Sequence, residues 1–386
     1  MKEKYDVIVV GGGYFGCSCA YHLAKAGVRT LLLEEKEISS GASGANFGNV
    51  QVQDSELGIS LEMSIDGSRR MAAMEDELGC DLQYGVQPNL IGAETEEHFA
   101  ALRELYQGKK DSGLNIEWLE EEQIRQIEPN MRKGRVLAAT NYMQGRVYPF
   151  LYLYGLIRKG KNYGLTVKEH TPVSRLWSQA GRCIGVVLSD DSVIHAENVV
   201  IAAGSKTREL CLTSGLSVPV YSVKAEAIIT EQIQPYIMSY YSSAGFFAEA
   251  HGQDNASTSL CFFQSNHGNI IVGETTKPHK LVAAEAQDLT SMEHTSVIHE
   301  QLLDFYPGLK KINLLRSMVT ASPFTENNLP CLGKSRLPGL LLCAGFKSAV
   351  VMSPVAGQLI SDLVTKDSTA YDIEDFSVNS GILLGE

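Results

Sequence analysis

Residues 5–16 read YDVIVVGGGYFG, and this stretch decides the fold of the chain. Its first half, residues 5–10, is apolar except for Asp6 and rich in β-branched side chains, which predicts a buried strand. A helical pattern follows the glycines, so the stretch predicts a strand, a tight turn and a helix whose N-terminus faces phosphates. Gly11 allows the turn, Gly13 lets the backbone approach a pyrophosphate, and Gly16 lets the helix lie close to the sheet.

A second strand is predicted at Thr30–Leu33 and ends in Glu34, about twenty residues after the glycines. An acid at this position accepts a hydrogen bond from the 2′-hydroxyl of an adenosine ribose. Glu35 adds a second acid, and two acids would repel a 2′-phosphate, which disfavours an NADP-type ligand. The pattern predicts a Rossmann-type dinucleotide-binding domain; the alternative is a glycine-rich turn in another α/β protein.

The next loop, residues 39–49, reads SSGASGANFGN. It is small and polar, so it offers backbone donors and little bulk to a ligand that extends beyond the pyrophosphate. This favours a flavin over a nicotinamide cofactor. A flexible serine/glycine linker has the same composition.

The overall composition excludes several classes of protein. The 386 residues are 44% hydrophobic and 20% charged, which is typical of a globular protein of two or three domains. The net charge of −12 disfavours nucleic acid as a partner. No segment approaches the ~18 apolar residues of a membrane span, and residues 7–16 are too short and glycine-rich for a signal peptide. The eight cysteines lack CxxC spacing, so we expect no metal site and a cytoplasmic protein with reduced thiols.

Taken with the N-terminal motifs, five further segments make the chain resemble a known family, the D-amino-acid-oxidase-type FAD oxidoreductases. This family includes glycine oxidase, sarcosine oxidases and the FAD subunits of opine and hydroxyproline dehydrogenases. The resemblance covers nearly the whole chain. The segments are SGASGANFGN (40–49), VVIAAG (199–204), VYSVKAEAIITE (220–231), QSNHGNIIVGET (264–275) and NLPCLGKSRLPGLLLCAGFKSAVVMSPVAGQLISDL (328–363).

The resemblance implies an α/β fold, α+β overall, in which an antiparallel-sheet substrate domain is inserted into a Rossmann-type FAD-binding domain. The FAD-binding domain is expected at residues 1–50, 145–215 and 316–386, and the substrate domain at 51–144 and 216–315. Residues 182–189 and 193–201 are predicted to be strands that return to the nucleotide sheet. The FAD is expected to be non-covalent, because Thr320 lies at or near the position where monomeric sarcosine oxidases carry the attachment cysteine.

The motifs and the resemblance together predict a set of cofactor-binding residues. Val173 is included because the family lays a strand against the adenine there, although an ordinary core valine is an equal alternative. The predicted residues are Gly11, Gly13, Tyr14, Phe15, Gly16, Glu34, Glu35, Ser43, Gly44, Ala45, Asn46, Val173, Ala203, Gly204, Gly345, Phe346, Lys347 and Ser348.

The C-terminal motif is expected to lie beside the flavin ring. It predicts a strand at Leu340–Ala344, a turn at 345–353 and a helix at 354–363 with a proline in its first turn. The loop amides and the helix N-terminus would stabilise negative charge on the reduced flavin. Lys347 is the candidate catalytic residue, against the alternative of a surface lysine. This turn is one residue shorter than in glycine oxidase and lacks one of its glycines.

The substrate-binding residues are less clear. Simple amino-acid oxidases of the family hold the substrate carboxylate with an arginine, and Ser322 stands at that position here. Arg316 is a possible substitute, although a structural ion pair explains it more readily. We expect substrate contacts from Asn49, Gln51 and Tyr241. The aromatic residues between 236 and 247 predict either a lid or an edge strand.

The sequence therefore predicts an FAD-dependent enzyme that oxidises the C–N bond of an amino acid or secondary amine to an imine by hydride transfer to flavin N5. The substrate is expected to be sarcosine-, opine- or hydroxyproline-like. A dehydrogenase that passes electrons to a partner subunit or carrier is slightly favoured over an oxidase. The alternatives are an accessory FAD subunit without amine oxidation of its own and a hydroxyl-oxidising flavoenzyme.

Overall fold

The computed structural model describes residues 4–245, 258–276, 290, 292–325 and 327–384. The chain divides into two compact units. The first consists of Met1–Tyr84, Val147–Ser222 and Ser322–Glu386, and the second of Gly85–Arg146 and Val223–Ala321. Among the helices in these described ranges, none is both long and apolar enough to cross a membrane.

The helices and strands are numbered in chain order. The helices are α1 (Tyr14–Lys25), α2 (Ile59–Ala72), α3 (Met74–Leu78), α4 (Glu96–Asp111), α5 (Glu121–Ile127), α6 (Pro149–Lys161), α7 (Thr207–Leu212), α8 (Met292–Phe305) and α9 (Ala349–Thr365). The first ten strands are β1 (Val7–Val10), β2 (Thr30–Leu33), β3 (Gly85–Ala93), β4 (Glu117–Glu120), β5 (Ala138–Arg146), β6 (Thr166–Lys168), β7 (Val173–Gln179), β8 (Arg182–Leu188), β9 (Val193–His195) and β10 (Asn198–Ile201). The remaining strands are β11 (Leu216–Ser217), β12 (Val220–Gln232), β13 (Tyr240–Ser243), β14 (Thr258–Gln264), β15 (Asn269–Thr276), β16 (Leu314–Thr325), β17 (Cys331–Lys334), β18 (Leu340–Ala344) and β19 (Ile382–Leu383).

The first unit is built on a six-stranded sheet in the order β17-β18-β10-β1-β2-β6. All neighbouring strands are parallel except β17 and β18. Every residue of β1 and β2 is buried, as expected for inner strands of a parallel sheet with both faces covered. The strand, turn and helix predicted from residues 5–16 thus lie at the centre of this sheet.

The strands after β6 follow the prediction only in part. β10 joins the nucleotide sheet beside β1, as predicted. β8, in contrast, pairs with β7 and β9 in a separate three-stranded sheet. Short turns connect these three antiparallel strands. Their backbone groups therefore form hydrogen bonds with one another, and the strands do not join the six-stranded sheet.

Residues 51–84 belong to the first unit, although the resemblance implies that this segment is part of the substrate domain. The cause is the close approach of α2 to α9. The hydroxyl of Ser64 lies 3.4 Å from the sulfur of Met352, and a Cβ added at Gly67 would overlap the carbonyl oxygen of Val351. These contacts bury one face of α2 against the C-terminal helix.

The C-terminal helix α9 begins at Ala349, five residues before the proline that was expected to open it. Pro354 therefore lies inside the helix, where it has no amide hydrogen for the carbonyl of Val350. The hydroxyl of Ser353 donates to that carbonyl at 2.9 Å and supplies the missing hydrogen bond. This local replacement allows the helix to continue through the proline.

The second unit contains most of an eight-stranded sheet in the order β16-β12-β15-β14-β13-β3-β5-β4. β3 and β13 are parallel. The pairs β12–β15, β15–β14, β14–β13, β3–β5 and β5–β4 are antiparallel. An aromatic cluster fills the core beneath it, formed by Tyr241, Phe262, Phe305 and Tyr306. Glu128 is fully buried beside this cluster and accepts hydrogen bonds from Ser239 and Tyr306.

His22 in α1 makes the first unit sensitive to acid. Both its ring nitrogens are buried without a hydrogen-bond partner, and burial lowers the pKa of the imidazole from 6.5 to about 4. The unfolded chain binds this proton at a higher pH than the folded chain. Neutral His22 therefore makes no pH-dependent contribution to stability above pH 6.5, and stability falls as the pH drops from 6.5 towards 4, by about 3 kcal/mol.

We expect His22→Leu to flatten the dependence of the unfolding free energy on pH between 7 and 4.5. The measurement is urea unfolding at several pH values. His195→Leu, at an exposed histidine, serves as the control and should leave the slope unchanged. Equal slopes for wild type and His22→Leu would contradict the prediction.

Candidate functional site

The glycine turn after β1 has no room for side chains. Gly11 adopts φ +110°, and a Cβ there would lie 2.4 Å from the carbonyl oxygen of Ala202. A Cβ at Gly16 would lie 1.7 Å from the carbonyl oxygen of Gly11. The turn therefore fits closely between the first turn of α1 and the end of β10.

The small polar loop is attached to this turn. The amide of Ser39 donates to the carbonyl of Gly12 at 3.0 Å, and the amide of Tyr14 donates to the hydroxyl of Ser43 at 3.0 Å. Gly44 crosses the carbonyl of Ser39 so closely that a Cβ would overlap it. Hydrogen bonds and close packing thus hold Ser43 and Gly44 in place against the glycine turn. This excludes the interpretation of the segment as a flexible linker.

The two acids at the end of β2 have different surroundings. Glu34 is buried and accepts hydrogen bonds from the amides of Gly12 at 2.6 Å and Lys36 at 2.9 Å. Glu35 instead forms an ion pair with Lys206 at 2.5 Å on the surface. The geometry favours Glu34 as a ribose acceptor and gives Glu35 a structural partner.

Three polar side chains were expected near the flavin or substrate, and their partners differ. The Asn46 side chain accepts from the amide of Gly48, and the Gln51 side chain donates to Asp54. Asn49 is 4% exposed, and both polar atoms of its amide are buried without a partner among the described residues. Of the three, Asn49 is the one whose side-chain polar atoms have no hydrogen-bond partner in the described part of the chain.

The loop before α9 contributes a second unsatisfied group. Ser348 is the N-cap residue of α9, but its hydroxyl forms no cap hydrogen bond and is buried without a partner in the described part of the chain. Gly345 adopts φ +77°, and the Phe346 ring stacks on Phe15 of α1 with centroids 4.0 Å apart. This stacking joins the C-terminal loop to the glycine turn.

Lys347 does not have the free ammonium group expected of a catalytic lysine. Its Nζ lies 3.1 Å from Oε1 of Glu56, and the lysine side chain is largely buried. Glu56 was missed by the sequence analysis, because no spacing or motif links residue 56 with residue 347. The ion pair still places a positive charge in the C-terminal loop.

The remaining predicted cofactor residues lie at the edges of the same unit. Ala203 and Gly204 follow β10, where the amide of Ala202 donates to the carbonyl of Val10. Val173 begins β7 and packs partly against the core of this unit. Ala45 lies in the small polar loop. The hydroxyl of Tyr14 is buried without a partner, and burial raises its pKa well above the usual value.

The residues expected to contact substrate from the other unit need a correction. Tyr241 is fully buried in the aromatic core, where its ring stacks on Phe262 and its hydroxyl donates to Glu94 at 2.9 Å. It is a satisfied core residue and not a substrate ligand. Of the predicted aromatic lid, Phe246 and Phe247 lie outside the described residues.

The geometry of the first unit fits a dinucleotide with a flavin. The amides of Gly11, Gly12 and Tyr14 already donate to Leu33, Glu34 and Ser43, so the start of α1 beyond Tyr14 is the part that offers backbone donors to phosphates. Glu34 offers a carboxylate to a ribose. Asn49 and Ser348 are buried polar groups that a heterocycle with carbonyl and ring nitrogen atoms would satisfy. The uncapped N-terminus of α9 favours negative charge at the same loop.

Comparisons with known proteins agree with this geometry. A family model described as FAD dependent oxidoreductase matches residues 6–363. Glycine oxidase from Geobacillus kaustophilus is 28% identical over 398 residues, which cover 99% of this chain and 98% of that enzyme. Sarcosine oxidase subunit beta from Rhodobacter capsulatus is 22% identical over 380 residues, covering 95% and 86%.

A solved structure supports the same assignment at the level of the fold. The crystal structure of glycine oxidase from Geobacillus kaustophilus matches with a TM-score of 0.86 at 24% identity, covering 97% of this chain and 98% of that one. The fold is thus the expected mixed α/β fold with a Rossmann FAD-binding domain. The chain is an enzyme whose cofactor is FAD, and it belongs to the family of FAD-dependent oxidoreductases.

Proposed function

We propose that this enzyme oxidises the C–N bond of an amino acid or secondary amine to an imine. The observation that carries the proposal is the C-terminal loop, where an uncapped helix N-terminus and the Ser348 hydroxyl offer unsatisfied polar groups. The relatives that act on glycine and sarcosine, by their names, support this chemistry. Sarcosine-, opine- and hydroxyproline-like amines are the substrates we favour.

The residues of the first unit hold the cofactor in this proposal. Glu34 would bind the adenosine ribose, and the amides of Phe15 and Gly16 at the start of α1 would bind the pyrophosphate. When bound, FAD supplies a two-electron acceptor that takes up the hydride from the carbon next to nitrogen. The N-terminus of α9 and Ser348 donate hydrogen bonds that stabilise negative charge on the ring. Lys347, neutralised in part by Glu56, is the candidate for an added positive charge.

The reaction requires no side-chain base. A neutral amine loses its hydrogen as a hydride, and the imine hydrolyses in water, so the protein need only hold the amine with its reacting carbon ~3–3.5 Å from the acceptor atom. This agrees with the absence of a catalytic triad or ligand spacing among the nine histidines. Orientation is the contribution expected of the chain.

The test is anaerobic mixing of the holoenzyme with a panel of amines while the flavin absorbance is followed. The panel contains glycine, sarcosine, D- and L-proline, hydroxyproline, an N-carboxyalkyl amino acid and a polyol phosphate. Bleaching by one amine class supports the proposal and names the substrate. Bleaching by the polyol phosphate alone would establish a hydroxyl-oxidising enzyme instead. The rate at which colour returns in air then separates oxidase from dehydrogenase.

A second candidate is an FAD subunit that works only with a partner. The likeness to sarcosine oxidase subunit beta, which by its name is one subunit of an enzyme, favours it. In this case no amine bleaches the flavin of the isolated chain, and bleaching appears once a partner is added.

The eight cysteines are free thiols, which suits the reducing cytoplasm that we propose as the location.

The two acids after β2 provide a test of cofactor binding. We expect Glu34→Ala to raise the dissociation constant of FAD roughly 30-fold, because a hydrogen bond to a charged group contributes about 2 kcal/mol. The measurement is titration of the apoprotein with FAD by quenching of flavin fluorescence. Glu35→Ala is the matched control and should change the constant by less than about twofold, since its ion pair is exposed. Equal effects of both substitutions would contradict the assignment.

A further inference from the structure

The loop that follows β18 lies at the edge of the nucleotide sheet where a dinucleotide binds. β1, β10 and β18 are parallel neighbours, so their carboxyl ends meet at one edge of the sheet. Ligands of open parallel sheets bind at this edge. The glycine turn follows β1, and residues 345–348 follow β18, two strands away, which is about 10 Å at the usual strand spacing. Phe346 joins the two by stacking on Phe15.

This loop carries a positive charge and an unsatisfied hydroxyl group. The side chain of Lys347 is 14% exposed, so water and salt screen its ammonium group only weakly. Ser348 is 6% exposed, and its hydroxyl has no partner in the described part of the chain. The first residue of α9 follows directly. The ammonium group, the hydroxyl and the helix N-terminus together favour a negatively charged group.

A carboxylate from the segment before α2 opposes this charge. Oε1 of Glu56 lies 3.1 Å from Nζ of Lys347. The chain around Glu56 is held in place within the first unit, because the hydroxyl groups of Ser55 and Ser64 lie 2.7 Å apart and α2 packs closely on α9 at Gly67. The carboxylate therefore reaches the C-terminal loop from a fixed backbone.

The burial of the lysine distinguishes this ion pair from the others of its unit. Lys347 is largely buried, whereas the Glu56 side chain is 47% exposed. Four other lysines form ion pairs in the described part of the first unit, and their side chains are 44–65% exposed: Lys25, Lys206, Lys334 and Lys366. An ion pair with one partner in water contributes little to stability, so stability does not explain why this lysine is withdrawn from water.

We propose that Glu56 restrains Lys347 and thereby sets the reduction potential of the bound FAD. Uptake of a hydride adds two electrons and one proton to the ring, and so adds one negative charge. An ammonium group beside the ring stabilises this charge, and a carboxylate that holds the ammonium group weakens the stabilisation. Glu56 is thus a positioning residue that acts through Lys347. The inference rests on the proposed function, because it places the flavin ring beside residues 345–348.

The first experiment measures the midpoint potential of FAD in the holoenzyme, by reduction with dithionite beside a reference dye. We expect Glu56→Gln to favour the reduced flavin about tenfold, which is about 30 mV for a two-electron couple. Lys347→Met should lower the potential by a similar amount. Glu62→Gln, at an exposed acid of α2, is the control and should leave it unchanged. A potential that falls with Lys347→Met and does not rise with Glu56→Gln would overturn the role of Glu56.

The second experiment combines the two substitutions. Because Glu56 acts through the ammonium group, Glu56→Gln should have little further effect in the Lys347→Met background. Glu56→Asp keeps the charge on a shorter side chain and should give a potential between those of wild type and Glu56→Gln. An equal rise in both backgrounds would show that Glu56 acts on the ring directly, and would overturn the positioning role.

Further readouts separate this role from a structural one and from the proposed function. A lower unfolding temperature or FAD affinity of Glu56→Gln with an unchanged potential would show a structural ion pair. If neither Lys347→Met nor Ser348→Ala shifts the potential, the flavin ring does not lie at this loop and the proposal falls. The proposed function fails separately: if the potential follows Glu56 and no amine bleaches the flavin, the role of Glu56 stands and amine oxidation falls.

Discussion

Gly16→Ala is expected to fold without retaining FAD. The added methyl group would lie 1.7 Å from the carbonyl oxygen of Gly11, so α1 and the glycine turn must separate. The obstacle is backbone, which cannot rotate away as a side chain can. Overpacking at such a site costs about 3 kcal/mol, equivalent to roughly 100-fold in affinity if it falls on the bound state. The measurement is the flavin content per chain after purification, followed by titration with FAD.

The control for this substitution is Gly41→Ala. Gly41 lies in the adjacent small polar loop, where a Cβ would meet nothing within 4 Å, and its φ is not in the left-handed region. It should keep a full complement of FAD. A yellow Gly16→Ala protein with wild-type affinity would show that the turn and helix tolerate separation and that the pyrophosphate assignment is wrong.

Glu128→Ala is expected to destabilise the second unit by about 3–5 kcal/mol. One carboxylate oxygen accepts from the amides of Met238 and Ser239 and from the Ser239 hydroxyl, and the other accepts from the hydroxyl of Tyr306. Burial raises the pKa of Glu128, and these donors oppose the rise. Alanine leaves all four donors buried without an acceptor, which is more costly than the loss of the bonds themselves.

The two tryptophans allow this loss to be located. Trp118 lies in the second unit and Trp177 in the first, so each can be followed alone in the background of a phenylalanine substitution at the other. Glu128→Ala should lower the urea midpoint reported by Trp118. Glu122→Ala, at an exposed acid of α5, should leave it unchanged. No shift in the Trp118 transition would exclude Glu128 as an anchor of this unit.

The part of the site that sequence predicts well is the part formed by neighbours along the chain. The glycine turn, the acid after β2 and the small polar loop each depend on residues within a few positions of one another. Their backbone requirements are visible as glycine and small side chains. The chain's membership in its family follows from the order of such segments.

Features that depend on distant pairs were not predictable. The Lys347–Glu56 ion pair joins residues far apart in the sequence, and a lysine gives no sign of its partner. The sequence predicts too late a start for α9, because a proline such as Pro354 is typical of the first turn of a helix. Only the structure shows that the Ser353 hydroxyl donates a hydrogen bond to the carbonyl of Val350.

Tyr241 shows the opposite error. A tyrosine in an aromatic-rich stretch is compatible with a ligand pocket and with a core, and the sequence does not contain the distance to Glu94 that decides between them. A core tyrosine whose hydroxyl already donates to a carboxylate does not bind substrate. Burial and partner must both be known before a polar aromatic residue is assigned a function.

The strand order of the first unit bears on how the chain is made in the cell. β1 emerges from the ribosome early, yet its neighbour β10 and the next strand, β18, are synthesised much later. Until then one side of β1 and its apolar side chains have no native partner, and closing such long loops is slow. An open strand edge of this kind invites pairing with another chain. We therefore expect folding yield to depend on chaperones and on slow translation at low temperature.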